Sequence, residues 1–85
     1  MVNILSAELD LVFYALSDPT RRRILSMLNQ SASTIGALAD PFNMSLAAIS
    51  KHIKILEKAK LLSRKISGRV HECSINPAAL KTAEE

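Results

Sequence analysis

Cysteine occurs once in this 85-residue chain, at Cys73, so no internal disulfide forms and a reducing compartment suits it. Glycine occurs twice, and there is neither a Gly-rich loop to cradle phosphate nor the Gly-flanked serine of a nucleophile elbow. No pair of carboxylates accompanies either histidine, so we expect no enzyme. Soft-metal sites need several thiolates or imidazoles in fixed geometry. His71 and Cys73, two apart on one β-compatible run, supply two at most, so no metal or other cofactor is expected. Tryptophan is absent, and one tyrosine and two phenylalanines are the only aromatic residues. The core of a chain that is 48% hydrophobic is therefore aliphatic. No apolar run approaches the ~20 residues that cross a bilayer. The opening MVNILSAELD has neither the basic start nor the apolar stretch of a signal peptide. These absences point to a cytoplasmic protein without a membrane partner.

What is present fits one domain, residues 1–85. A domain of this size buries only about 60% of the surface its unfolded chain exposes, and such chains commonly gain stability by dimerising. The net charge of +3 matters less than where the charge lies. Between Arg21 and Arg69 stand ten basic residues and two acids, Asp40 and Glu57, while both ends are mildly acidic. A cationic middle suits a polyanion such as nucleic acid, although charge alone equally fits a solvated face.

Leu5, Leu9, Val12, Phe13 and Leu16 predict one helical stripe over residues 4–16. Asp18 is placed to cap a second helix that begins at Pro19, where the missing N–H costs nothing, with Ile24, Leu25 and Leu28 inward. Arg21, Arg22 and Arg23 crowd its first turn, against the helix dipole, which is tolerable if an anion docks there. Ser33 or Thr34 caps a short third helix carrying Ile35, Leu38 and Ala39, closed by Asp40-Pro41. After Phe42-Asn43-Met44, Ser45 caps a fourth helix running to about Ala59. Two helices joined by a short turn make a helix-turn-helix unit. The turn here bears a proline and lacks the frequent glycine.

The fourth helix is the informative one. Leu46, Ile49, Ile53, Leu56 and Ala59 are expected inward, leaving Ala47, Ala48, Ser50, Lys51, Lys54 and Lys58 outward. Small residues followed by lysines let a helix enter a major groove ~12 Å wide, with the lysines reaching phosphates. An ordinary amphipathic helix with a lysine-rich solvent face reads the same way. Two β-compatible runs follow, Leu61–Ile66 and Val70–Ile75, joined by the hairpin signal Ser67-Gly68-Arg69. Arg64, Lys65 and Arg69 would set this basic hairpin across a minor groove or its phosphates. Residues 78–85 form a last segment too short for a stable helix by itself.

On these residues the chain is identified as resembling the ArsR-type winged helix-turn-helix regulators. LSDPTRRRILSML, residues 16–28, is similar to their second helix. MSLAAISKHIKILEKAKLLSRKISGR, residues 44–69, is similar to their recognition helix and wing. The resemblance implies a mainly α fold with a β-hairpin wing, in the order α-α-α-α-β-β-α. It also implies a homodimeric repressor on a palindromic operator. Family dimers pair through the first and last helices, which makes Leu5, Leu9, Val12 and Phe13 the dimer residues here, although the same stripe can cover the domain's own core. Three features depart from the family pattern. Lys60 stands where glycine usually follows the recognition helix, the final helix is shorter, and the usual metal-site cysteines are missing.

The resulting expectation is a transcriptional regulator of double-stranded DNA. Ser45, Ala47, Ala48, Ser50, Lys51, His52 and Lys54 are to approach bases and their phosphates, and Arg21, Arg22, Arg64, Lys65 and Arg69 to hold phosphates. For His52 the alternative is a partly buried imidazole bonded to neighbouring backbone. The rival function is a winged-helix module for protein contact in a larger assembly, with the lysines facing an acidic partner.

Overall fold

A computed structural model describes residues 4–77, with side chains from residue 6 onward. The expectations for the Leu5 side chain and for a last segment at residues 78–85 fall outside the described residues. The elements run α1 (Ile4–Leu16), α2 (Pro19–Gln30), β1 (Ser33–Thr34), α3 (Ile35–Ala39), α4 (Leu46–Lys58), β2 (Leu62–Ser67) and β3 (Val70–Ile75).

Local chemistry sets most of these boundaries. The Asp18 carboxylate accepts the Arg21 N–H at 3.1 Å and starts α2, with Pro19 at its head. Thr34 Oγ1 accepts the Ala37 N–H at 3.2 Å and starts α3, and Ser45 Oγ accepts the Ala48 N–H at 3.1 Å and starts α4. Helix α4 ends in a Schellman motif. The Leu61 N–H reaches the Leu56 carbonyl and the Lys60 N–H the Glu57 carbonyl, both at 3.0 Å.

That motif requires a left-handed residue, and Lys60 supplies it at φ 62°. A side chain there costs about 1–2 kcal/mol, which glycine avoids while losing about 0.4–1 kcal/mol to its freer unfolded chain. The exposed Lys60–Glu8 pair, at 3.8 Å, offsets little of this. Lys60→Gly is therefore expected to stabilise the domain by about 0.7 kcal/mol, raising Tm by about 4 °C. A lower Tm in thermal unfolding would show that the lysine side chain, not the backbone, decides this position.

The sheet has three antiparallel strands in the order β1-β3-β2. Ser67 pairs with Val70, so the hairpin loop is only Gly68-Arg69, with Gly68 at φ 61° as a two-residue turn of this kind needs. Both strand boundaries of the hairpin's first arm move one residue later than expected, because Leu61 closes the Schellman motif and Ser67 is still paired. Strand β1 corrects the expected element order. Ser33 pairs with Cys73 and Thr34 with Glu72, so the segment before α3 is a third strand as well as a cap.

The core is aliphatic, as the composition requires. Ile24, Leu38, Ile49, Ile53, Leu56, Leu62 and Cys73 are its largest fully buried side chains, drawn from α2, α3, α4 and both arms of the hairpin. Helix α1 adds Ala15, with Leu11 and Val12 packed against the same cluster. No helix among the described residues is long and apolar enough to cross a membrane.

Candidate nucleic-acid interface

Helix α4 presents Ala47, Lys51, Lys54 and Lys58 to solvent, while Ala48, Ser50 and His52 are half-buried along its flanks. Ser45 is exposed, but its Oγ already accepts the Ala48 N–H, leaving its hydroxyl proton for a partner. Leu46 departs from expectation. It is 59% exposed rather than inward, because the core under α4 begins only at Ile49. The hairpin tip stands next to this end of the helix. Leu46 and Ser50 of α4 share one groove with Arg69, Val70 and His71. Arg69 is exposed in the tip, beside the leading turn of α4, and Lys65 is exposed on the strand that leads to it.

Two expected phosphate ligands bond to the protein's own carbonyls, and the first of them is buried. Arg21 is 5% exposed. Its Nε donates to the Ala15 carbonyl at 2.8 Å and its Nη2 to the Tyr14 carbonyl at 2.9 Å. The guanidinium carbon also lies 5.0 Å from the Tyr14 ring centre. Arg22 Nη1 donates to the Leu16 carbonyl at 2.7 Å, though its side chain stays exposed. The arginine run at the start of α2 therefore needs no anionic ligand. Its first two guanidiniums reach back to the carbonyl end of α1, where the dipole favours cations. Arg23 lies over the Phe42 ring at 5.0 Å. Arg64, expected on the wing surface, has a largely buried side chain. Its Nη2 donates to Glu57 Oε1 at 3.1 Å and its Nη1 lies 3.3 Å from His71 Nδ1. It ties the hairpin to the last turn of α4 instead of reaching outward.

His52 is half-buried, and the partners found for its ring are side chains rather than neighbouring backbone. Its Nδ1 lies 3.2 Å from Arg21 Nη1 and 3.9 Å from Asp18 Oδ2. Arginine can only donate, so the neutral ring accepts at Nδ1 and keeps its proton on Nε2. Burial pushes the Asp18 carboxyl up. The N–H groups of Arg21 and Thr20, with the charge of Arg21, outweigh it and hold the carboxyl below its ordinary range. The recognition-type helix is thus tied through His52 to the α1–α2 corner. Sequence reasoning missed Arg21 as this link, and Glu57 and His71 as partners of Arg64; no periodicity marks such pairs.

The expected dimer stripe on α1 divides. Val12 packs on the core, whereas Leu9 is 39% and Phe13 67% exposed, one turn apart. Cys73 is fully buried, and burial pushes its thiol above the ordinary value. Among the described residues no three His, Cys, Asp or Glu side chains cluster as metal ligands would.

Comparison with known proteins agrees with this geometry. A family described as a helix-turn-helix domain matches residues 16–64. The transcriptional repressor SdpR of Bacillus subtilis is 41% identical over 70 residues, covering 82% of this chain and 78% of that protein. The crystal structure of the ArsR family transcriptional regulator RHA00566 superposes with a TM-score of 0.86 at 38% identity, covering 91% of this chain and 85% of that one. A homodimeric winged helix-turn-helix DNA-binding domain from Mycobacterium bovis shares the fold, with a TM-score of 0.81 at 24% identity over 94% of this chain and 76% of its own.

Proposed function

Because the chain belongs to the ArsR-type winged helix-turn-helix regulators, which act by binding DNA and not by catalysis, we propose that it is a repressor. In this reading a cytoplasmic homodimer occupies a palindromic operator and keeps polymerase from the promoter. Each protomer lays the leading half of α4 in a major groove, the two grooves about one helical turn (~34 Å) apart. Ala47 and Ala48 allow close approach, and Ser45, Ser50 and the Nε2–H of His52 offer donors. Lys51, Lys54, Arg22, Lys65 and Arg69 hold phosphates.

The observation that carries this reading is the exposed surface of small residues followed by lysines on α4, with the cationic hairpin tip beside its first turn. A repressor function is also supported by the likeness to SdpR, which is a repressor. Dimerisation is supported by the exposed Leu9 and Phe13 on α1, which leave apolar surface for a second copy. The same fold is homodimeric in the Mycobacterium bovis domain.

A mobility-shift titration on the chain's own upstream DNA, with scrambled duplex as competitor, tests the reading. The expected result is a discrete complex that survives competitor and weakens steeply with salt, each neutralised phosphate adding a log–log slope of about 0.9. Equal affinity for scrambled duplex would remove the operator from this account.

A further inference from the structure

Leu46 stands in the first turn of α4, directly after the capping Ser45, with 59% of its surface exposed. Of its same-face neighbours one turn on, Ile49 is buried and Ser50 half-buried. Its isobutyl group forms one wall of an open groove of about 460 Å³, with Ile35, Ser50, Arg69, Val70 and His71 around it. An aliphatic side chain thus projects from the leading end of the helix, with the exposed Val70 of the hairpin across the groove and small residues and cations along the outer face of α4.

We propose that Leu46 is a specificity-determining residue that packs against the 5-methyl group of a thymine in each operator half-site. The proposal rests on the DNA-binding reading above and names a base within it. In the major groove, thymine is the base whose edge carries a methyl group, while the others present donors and acceptors. A leucine offers no hydrogen bond. Against a guanine, adenine or cytosine edge it strips water from polar atoms and returns nothing. Against thymine, both apolar groups leave water together. Discrimination therefore comes from the attraction and from the penalty on every other base. Ala47 beside it has no bulk to hold the helix away, and Lys51, Lys54 and Arg69 bring the polyanion to it.

Duplexes selected from a random pool by the intact protein provide the probe. Each thymine of the selected half-site is then replaced, one at a time, by deoxyuridine, which removes one methyl and keeps every hydrogen-bonding group. At one thymine per half-site, wild-type affinity is expected to fall about fourfold, the worth of one methyl removed from water. Leu46→Ala, which removes the contact in both half-sites, should lose about sixteenfold on the thymine duplex and no longer distinguish thymine from deoxyuridine there, while its thermal unfolding stays unchanged. Leu46→Val, a smaller truncation, should lie between. Three outcomes overturn the proposal: a selected half-site without thymine, no position where deoxyuridine weakens the wild type, or equal deoxyuridine sensitivity in the wild type and Leu46→Ala. Failure to select any duplex removes the operator reading itself, and the proposal with it.

Discussion

Arg21→Ala is expected to lower the unfolding free energy by about 3 kcal/mol and Tm by about 15 °C. The side chain is 5% exposed and donates to the Ala15 and Tyr14 carbonyls while holding His52. Truncation takes the Arg21 donor from the buried Ala15 carbonyl at the end of α1, at about 1–3 kcal/mol, while the Tyr14 carbonyl keeps the Ser17 N–H and hydroxyl. It also removes the cation that complements the α1 dipole. A chain of this length holds only about 4–13 kcal/mol in all, so the loss is a large share of it. Arg21→Lys should recover less than half, since one ammonium cannot span two carbonyls and an imidazole as a planar fork does. Arg22→Ala, exposed and bonded to one carbonyl, should cost under about 1 kcal/mol. A phosphate ligand behaves in the opposite way. If Arg21→Ala kept its Tm and lost only salt-dependent DNA affinity, the guanidinium would belong to the interface after all.

The reason Arg21 escaped sequence reasoning is general to charge patterns. Three arginines in a first turn are unfavourable for their own helix, and a sequence shows that conflict without showing which neighbour relieves it. Here the relief is the carbonyl end of the preceding helix, only two residues upstream, brought over α2 by the Ser17-Asp18 corner. Elements fixed by chemistry within one turn were legible: the caps at Asp18 and Ser45, and Gly68 in the hairpin. Strand β1 was not, because two residues have no period and become a strand only by pairing with β3. Leu46 misled the periodicity argument for a related reason. The inward stripe of a helix buries side chains only where something lies beneath it, and the first turn of α4 extends past the core. The candidate surface was therefore legible on the outer face of α4, but not along its margins, where burial depends on partners distant in sequence.

Lys51→Glu is expected to weaken operator binding at least about 100-fold without altering the fold. Lys51 is exposed and, among the described residues, has no ion pair or hydrogen bond within the protein. Its reversal should therefore change stability by less than about 0.5 kcal/mol. Toward DNA the effect is twofold. One phosphate contact per protomer is lost, and a carboxylate is pressed against a polyanion, where like charges cost several kcal/mol. In a dimer both half-sites suffer, and the salt dependence should fall by about 2 in log–log slope. Lys51→Ala should lose less, and Lys51→Arg should keep most of the affinity. Mobility shift at two salt concentrations reads the affinity, thermal unfolding reads the fold, and sedimentation reads the dimer. The contrast with Arg21 separates the two kinds of basic residue in this chain, those that hold its own helix ends and those left over for a partner. Operator affinity unchanged in Lys51→Glu, with the fold intact, would mean that the lysine face of α4 is not what meets DNA. An acidic protein surface would then be the better partner for it.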